Sequence, residues 1–265
     1  MSNNSPLSAQ VSITGDVTNL IDTGVTQPVG TVMTTLQSIW NLTFGKFDHW
    51  NNKVVIKREN ELLMLRQDIF EKTSKIPEEF ITEPKMSIVG PAMEASQYFF
   101  EESYYREMFS NLISSSMDSR YSTTVHPAFT EFIKQLTPDE AIFLANIKKL
   151  NVNVFPISRI KIISTKHKGN LSIPLSIINI VPSELCVGLS LSSNSIIDNL
   201  RRLNILEYVF DKHLTREGIY DFAYNSDLYI EAKEIYKNDP DIKLEIVKGM
   251  VSFTLLGQDF LRIVM

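Results

Sequence analysis

One cysteine, Cys186, stands in the 265 residues, which excludes an intrachain disulfide and a cysteine-built metal site. It sits in the apolar run LCVGL and reads as a small buried hydrophobe. The four histidines, His49, His126, His167 and His213, are far apart, and none has a second histidine three or four residues away. The ligand spacing of a zinc centre is therefore missing. The ten glycines stand singly, so no loop of the kind that cradles phosphate is present, and neither GxSxG nor HExxH occurs. No run of about eighteen apolar residues offers a transmembrane helix. The opening MSNNSPLSAQ is polar and lacks a basic leader, so a cytoplasmic protein without cofactor, metal or catalytic residues is the expectation.

Positive charge is also short. The net charge is −5, and residues 1–136 carry 11 Lys and Arg against 16 Asp and Glu, whereas residues 137–265 balance at 15 of each. Nonspecific nucleic-acid binding normally needs an excess of cations, so that class is weakened from the start. What is present is ordinary globular material, 43% hydrophobic and 22% charged, with length enough for a substantial core.

Residues 1–15 read as a flexible start, residues 16–136 as a helical domain and residues 137–265 as a mixed one. In the low-charge stretch from Val17 to Phe44, Val25, Val29, Val32, Leu36, Ile39 and Trp40 recur at helical spacing. Pro28 and the flanking glycines predict that a continuous helix starts near Thr31. A charged helix follows over Asn52–Lys75 with Val55, Leu62, Leu65 and Ile69 inward. Pro77 opens a short helix, and Pro91 is expected at the first helical position of a segment running to Phe100. Tyr105, Met108, Phe109, Leu112 and Ile113 share one face of the next helix, and His126-Pro127 begins another. Thr137-Pro138-Asp139-Glu140 is a capping box with proline at its first helical position.

After Thr137 the period changes. VFPISRIKIIS and LSIPLSIINIV are rich in β-branched residues and separated by Lys168-Gly169-Asn170, which predicts a hairpin. Ser192 and Ser193 can cap a helix with Ile196, Ile197, Leu200 and Leu203 inward. NILEYVF reads as a strand, and a helical insert spans about Thr215–Lys237. A second hairpin is expected to turn at Lys248-Gly249, before a terminal helix LLGQDFLRIV. The predicted class is α+β, a mainly helical part followed by a part that resembles a winged helix, with two hairpins.

The block Glu83–Leu144 carries a more specific signature in EPKMSIVGPAMEA, REMFSNLISSSMD, VHPAF and IKQLTPDEA, with a weaker echo in LLGQDFLRIV. It resembles the bacterial Abi-alpha (abortive infection alpha) family over roughly residues 50 to 265. That resemblance implies phage defence and brings no catalytic motif with it.

Three classes follow. The first is a sensing or interaction protein with a protein partner or itself as partner, its helical start reaching a membrane on activation; Met33, Leu36, Trp40, Phe44 and Phe47 form the membrane or oligomer face. The second is a winged-helix DNA-binding regulator using Asn199, Arg201 and Arg202 on the helix and Lys248 on the wing. The third is an enzyme gathering His126, Glu94 and Glu131 in a pocket. The cations Arg159, Lys161, Lys166 and Lys168 of the first hairpin form a further patch suited to an anionic partner.

Overall fold

Apolar periodicity becomes packing in the computed structural model, which describes residues 27–44, 52–99, 102–164, 173–189 and 193–265. Helix α1 (Gln27–Phe44) buries Val32, Met33, Leu36, Ile39, Trp40 and Phe44. It starts four residues before the expected Thr31. Pro28 falls in its first turn, where no intrahelical N–H bond is required. Helix α2 (Asn52–Ser74) turns Leu62, Leu65 and Ile69 inward. A single turn of 3-10 helix follows at Glu78–Phe80.

Helix α3 (Met86–Ser96) contains Pro91 in its interior rather than at its start. The proline removes one intrahelical bond, but Ile88, Val89, Ala92 and Met93 on both sides of it are buried, and their packing carries the helix through. Helix α4 (Ser103–Ser115) is strapped to α2 by Arg106, which meets Glu61 at 2.6 Å and Asp68 at 3.2 Å, and by Lys72 donating to Ser110 Oγ. Helix α5 (Ala128–Gln135) leads to α6 (Pro138–Leu150), whose capping box forms as the sequence predicts.

The mixed part holds strands β1 (Val154–Ser164) and β2 (Ile173–Ile180), helix α7 (Ser193–Arg202) and strand β3 (Leu206–Val209). Helices α8 (Asp221–Tyr224) and α9 (Asp227–Ile235), strand β4 (Ile242–Phe253) and helix α10 (Leu255–Val264) complete it. The strands form one antiparallel sheet in the order β2-β1-β4-β3. The chain is thus α+β, and β1–β2 is the predicted first hairpin, its turn lying outside the described residues.

The second hairpin is a correction. Lys248 and Gly249 lie inside β4, which runs unbroken for twelve residues and pairs with β1 from Ile242 to Ser252, so no wing turns there. Glycine at 249 serves close approach instead of a turn: a Cβ there would stand 2.4 Å from the Val209 carbonyl oxygen. Gly257 lets the start of α10 press on the chain in the same way, since a Cβ would come within 1.8 Å of the Ile205 oxygen.

Side chains alternate across the sheet. Phe155, Ile157, Leu206, Val251 and Phe253 face the helices, in a core that also takes Leu36, Phe109, Phe129, Phe143 and Phe260. Ile160 and Ile180 face the other way, under Ala223, Phe222 and Tyr229 of the insert.

Candidate functional site

Helix α7 buries Ile196, Ile197 and Leu200 against the sheet and spans it from β2 to β3. At its first turn, Asn194 Oδ1 accepts the Asn179 N–H of β2 at 2.8 Å. Near its far end, Asp198 accepts from the Tyr208 hydroxyl at 3.2 Å, and the Arg201 guanidinium carbon lies 4.5 Å from the Tyr208 ring centroid. Tyr208 meets Phe210 edge-on at 5.7 Å. Arg159 lies over Phe210 at 3.9 Å while its Nε donates to Asn179 Oδ1 at 2.9 Å. The circuit is closed: α7 to β2, across Arg159 and two rings, and back to α7.

Two arginines read from separate patches therefore belong to one surface. A guanidinium over an aromatic face gains about 0.5–1 kcal/mol where exposed and more where water is excluded. It also keeps its planar fork of donors oriented for a carboxylate. Arg201 and Asp198 are exposed, and Arg159, Tyr208 and Phe210 are half-buried. Such a face is suited to binding, with charge of both signs at its α7 end.

Asn199 and Arg202 take part in a different arrangement. Asn199 Nδ2 donates to the Gln135 carbonyl at 3.1 Å and to Glu140 Oε2 at 2.8 Å. Arg202 donates to Asn199 Oδ1 and to Gln135 Oε1. The same Glu140 oxygen accepts the Thr137 N–H of the capping box, so the cap of α6 also anchors α7. Beside this seam the Tyr105 hydroxyl donates to the Leu136 carbonyl at 2.7 Å. Burial, with the nearby Glu102 and Glu140 carboxylates adding to it, pushes its pKa up to about 12.

Lys161 lies two residues along β1 from Arg159 on the same face, opposite Glu245 of β4. Lys248 is on the other face, its Nζ 5.3 Å from the Tyr220 ring of the insert. Lys166, His167, Lys168 and Phe47 fall outside the described residues. Met33, Leu36, Trp40 and Phe44 are buried in the core. His126 caps α5, its Nδ1 accepting the Ala128 N–H at 3.1 Å. It is exposed, as are Glu94 and Glu131, and Glu131 pairs with Lys134. Cys186 is half-buried, and burial raises its thiol pKa.

Among the described residues no group of three His, Cys, Asp or Glu side chains could hold a metal ion, and no helix is long and apolar enough to cross a membrane. Two open clefts of about 320 and 290 Å³ flank Lys148, and neither is lined by a residue of the arginine face. Sequence reading missed Tyr208 and Phe210. Their period-two spacing from Leu206 was the available signal, because alternation puts all three on one face.

Comparison with known proteins adds one match. The family model described as abortive infection alpha fits residues 57–264. No curated protein and no solved structure matches the chain at a significant level.

Proposed function

We propose that this chain, which belongs to the abortive infection alpha family, is a non-catalytic interaction protein of phage defence whose arginine face receives an acidic protein segment. Family membership ties it to abortive infection. The observation that carries the rest is the convergence of Arg159 and Arg201 on the paired rings of Phe210 and Tyr208. Two pre-oriented guanidiniums beside apolar ring surface fit a carboxylate-bearing, partly apolar partner. The exposed Asp198 among them favours a protein over a nucleic acid, whose phosphates it would repel. The DNA reading is less well supported, because Lys248 is on the opposite sheet face and Asn199 is engaged with Glu140. The test is phage challenge of cells expressing the full chain with Arg159→Ala and Arg201→Ala together. Loss of protection at unchanged protein level and unchanged circular dichroism is expected; full protection would sink the reading.

A second reading makes α1 the effector, released onto a membrane after infection. One observation favours it: the Trp40 indole N–H is buried with no hydrogen-bond partner among the described residues. An unsatisfied buried donor costs roughly 1–3 kcal/mol, and the membrane interface, where tryptophan is enriched, would relieve it. Dye entry into infected, protected cells is the outcome expected. Protection of the culture without any dye entry refutes this second reading.

A further inference from the structure

The sheet treats its free edges unequally. The outer edge of β2 is blunted three times over. Pro174 lacks an N–H, the register shifts between Ile162 and Ile163 so that Leu175 is left unpaired, and Asn194 occupies the Asn179 N–H. The outer edge of β3 is only four residues long. On β4, by contrast, β3 stops opposite Met250, so the seven residues Ile242–Lys248 have β1 on one side and, among the described residues, no strand on the other. Long unpaired edges are templates for strand addition.

The order of side chains on this edge decides the occupant. The Asn179 N–H is taken by Asn194 outside the sheet, so Arg159 opposite it turns its backbone groups to β4 and Val247 turns its own back to β1. Alternation leaves those of Ile242, Leu244, Ile246 and Lys248 pointing outward. Lys243, Glu245 and Val247 share the sheet face of Arg159, while Ile242, Leu244 and Ile246 share the opposite one. An antiparallel copy related by a twofold axis at Leu244 sets Lys243 opposite Glu245 of the copy, and Glu245 opposite Lys243. On the other face Ile242 meets Ile246, and Leu244 meets itself. A lysine on an edge ordinarily defends it against pairing. Here that defence fails only in the register where each Lys243 meets a Glu245, which makes the edge selective for a second copy of this chain.

We propose that β4 pairs with β4 of a second copy, joining two four-stranded sheets into one continuous antiparallel sheet. Its partner is another copy of the chain rather than the acidic segment assigned to the arginine face, so either proposal can fail alone.

The experiment measures molar mass by light scattering over a concentration series from micromolar to hundreds of micromolar, with the full chain. The wild type is expected to dimerise. Lys243→Glu is expected to weaken the dimer by about tenfold, since two opposite-charge cross-strand pairs become like-charge pairs. Combining it with Glu245→Lys restores both pairs and the affinity. As a geometric check that does not depend on charge, Leu244→Cys is made in a Cys186→Ser background. Directly opposed residues in a hydrogen-bonded pair have Cα atoms about 5.5 Å apart, within disulfide reach. This variant should therefore form a reducible dimer under mild oxidation, while Leu228→Cys on exposed α9 should not. A monomer at every concentration overturns the proposal. So does a dimer that ignores the charge swap and crosslinks no better at 244 than at 228.

Discussion

Arg159 of β1 holds its guanidinium carbon 3.9 Å from the ring centroid of Phe210, a residue just past the end of β3, while its Nε is held by Asn179 of β2. One side chain thereby spans the sheet from one edge towards the other, reaching over β4. The contact holds the arginine against the ring just beyond the last residue of β3.

That coupling is measurable. Arg159→Ala and Phe210→Leu should each lower stability by about 1 kcal/mol, and the double variant should lose less than the sum, with a coupling of roughly 0.5–1 kcal/mol. Urea unfolding of the four proteins checks it, and additive losses would mean that the stacking contributes nothing.

Gly249 and Gly257 should not tolerate alanine. The added methyl would meet backbone oxygens at 2.4 Å and 1.8 Å, and backbone cannot swing aside as a side-chain tip can. A loss of about 3 kcal/mol or more is expected for each, at the upper end for overpacking. Thermal unfolding is the check, with Gly30→Ala as the control, since a methyl there meets nothing within 4 Å.

Tyr105 makes the fold alkali-sensitive. Its folded pKa of about 12 is above the ordinary value of 10, because burial disfavours the phenolate. The stability this represents is fully present below about pH 10 and is lost as pH rises from there towards 12. A shift of that size corresponds to roughly 2–3 kcal/mol. Tyr105→Phe should lose about 1 kcal/mol at neutral pH with the hydrogen bond to Leu136. Its urea midpoint should then fall less steeply than wild type between pH 9.5 and 11.5. Parallel curves would remove Tyr105 from the account.

Helix α1 should behave as core, in the resting protein, whatever it does on activation. Leu36 is fully buried, so Leu36→Ala is expected to cost about 2–5 kcal/mol. A loss below about 1 kcal/mol, within the range of surface substitutions, would mean that the helix is not docked in solution.

Asn199→Asp tests the seam. It would set a carboxylate where the amide now donates to the buried Glu140 at 2.8 Å, replacing a hydrogen bond with like-charge repulsion. Asn199→Ala loses only the bond, so the aspartate variant should be the less stable of the two in chemical unfolding at neutral pH. Equal stability would show that Glu140 does not sense position 199.

What could be read without coordinates was local. The Thr137–Glu140 capping box, the last helix at Leu255–Val264 and the inward face of α7 are each decided by residues within one or two turns of one another. The family match rests on strings of that kind. The errors share one physical cause. Pro91 and Gly249 predict punctuation because proline and glycine usually supply it, yet their surroundings outvote them. Apolar packing carries α3 through the proline, and the approach of Val209 requires the glycine inside a strand. The cations of the two patches were visible as charges, but which sheet face each occupies, and which ring each covers, depends on β1 pairing with β4 across some ninety residues of chain. Such contacts form between segments that no local window holds together. Tertiary pairing alone brought Arg159 and Arg201 onto one surface, sent Lys248 to the other, and left the Ile242–Lys248 edge of β4 without a second strand among the described residues.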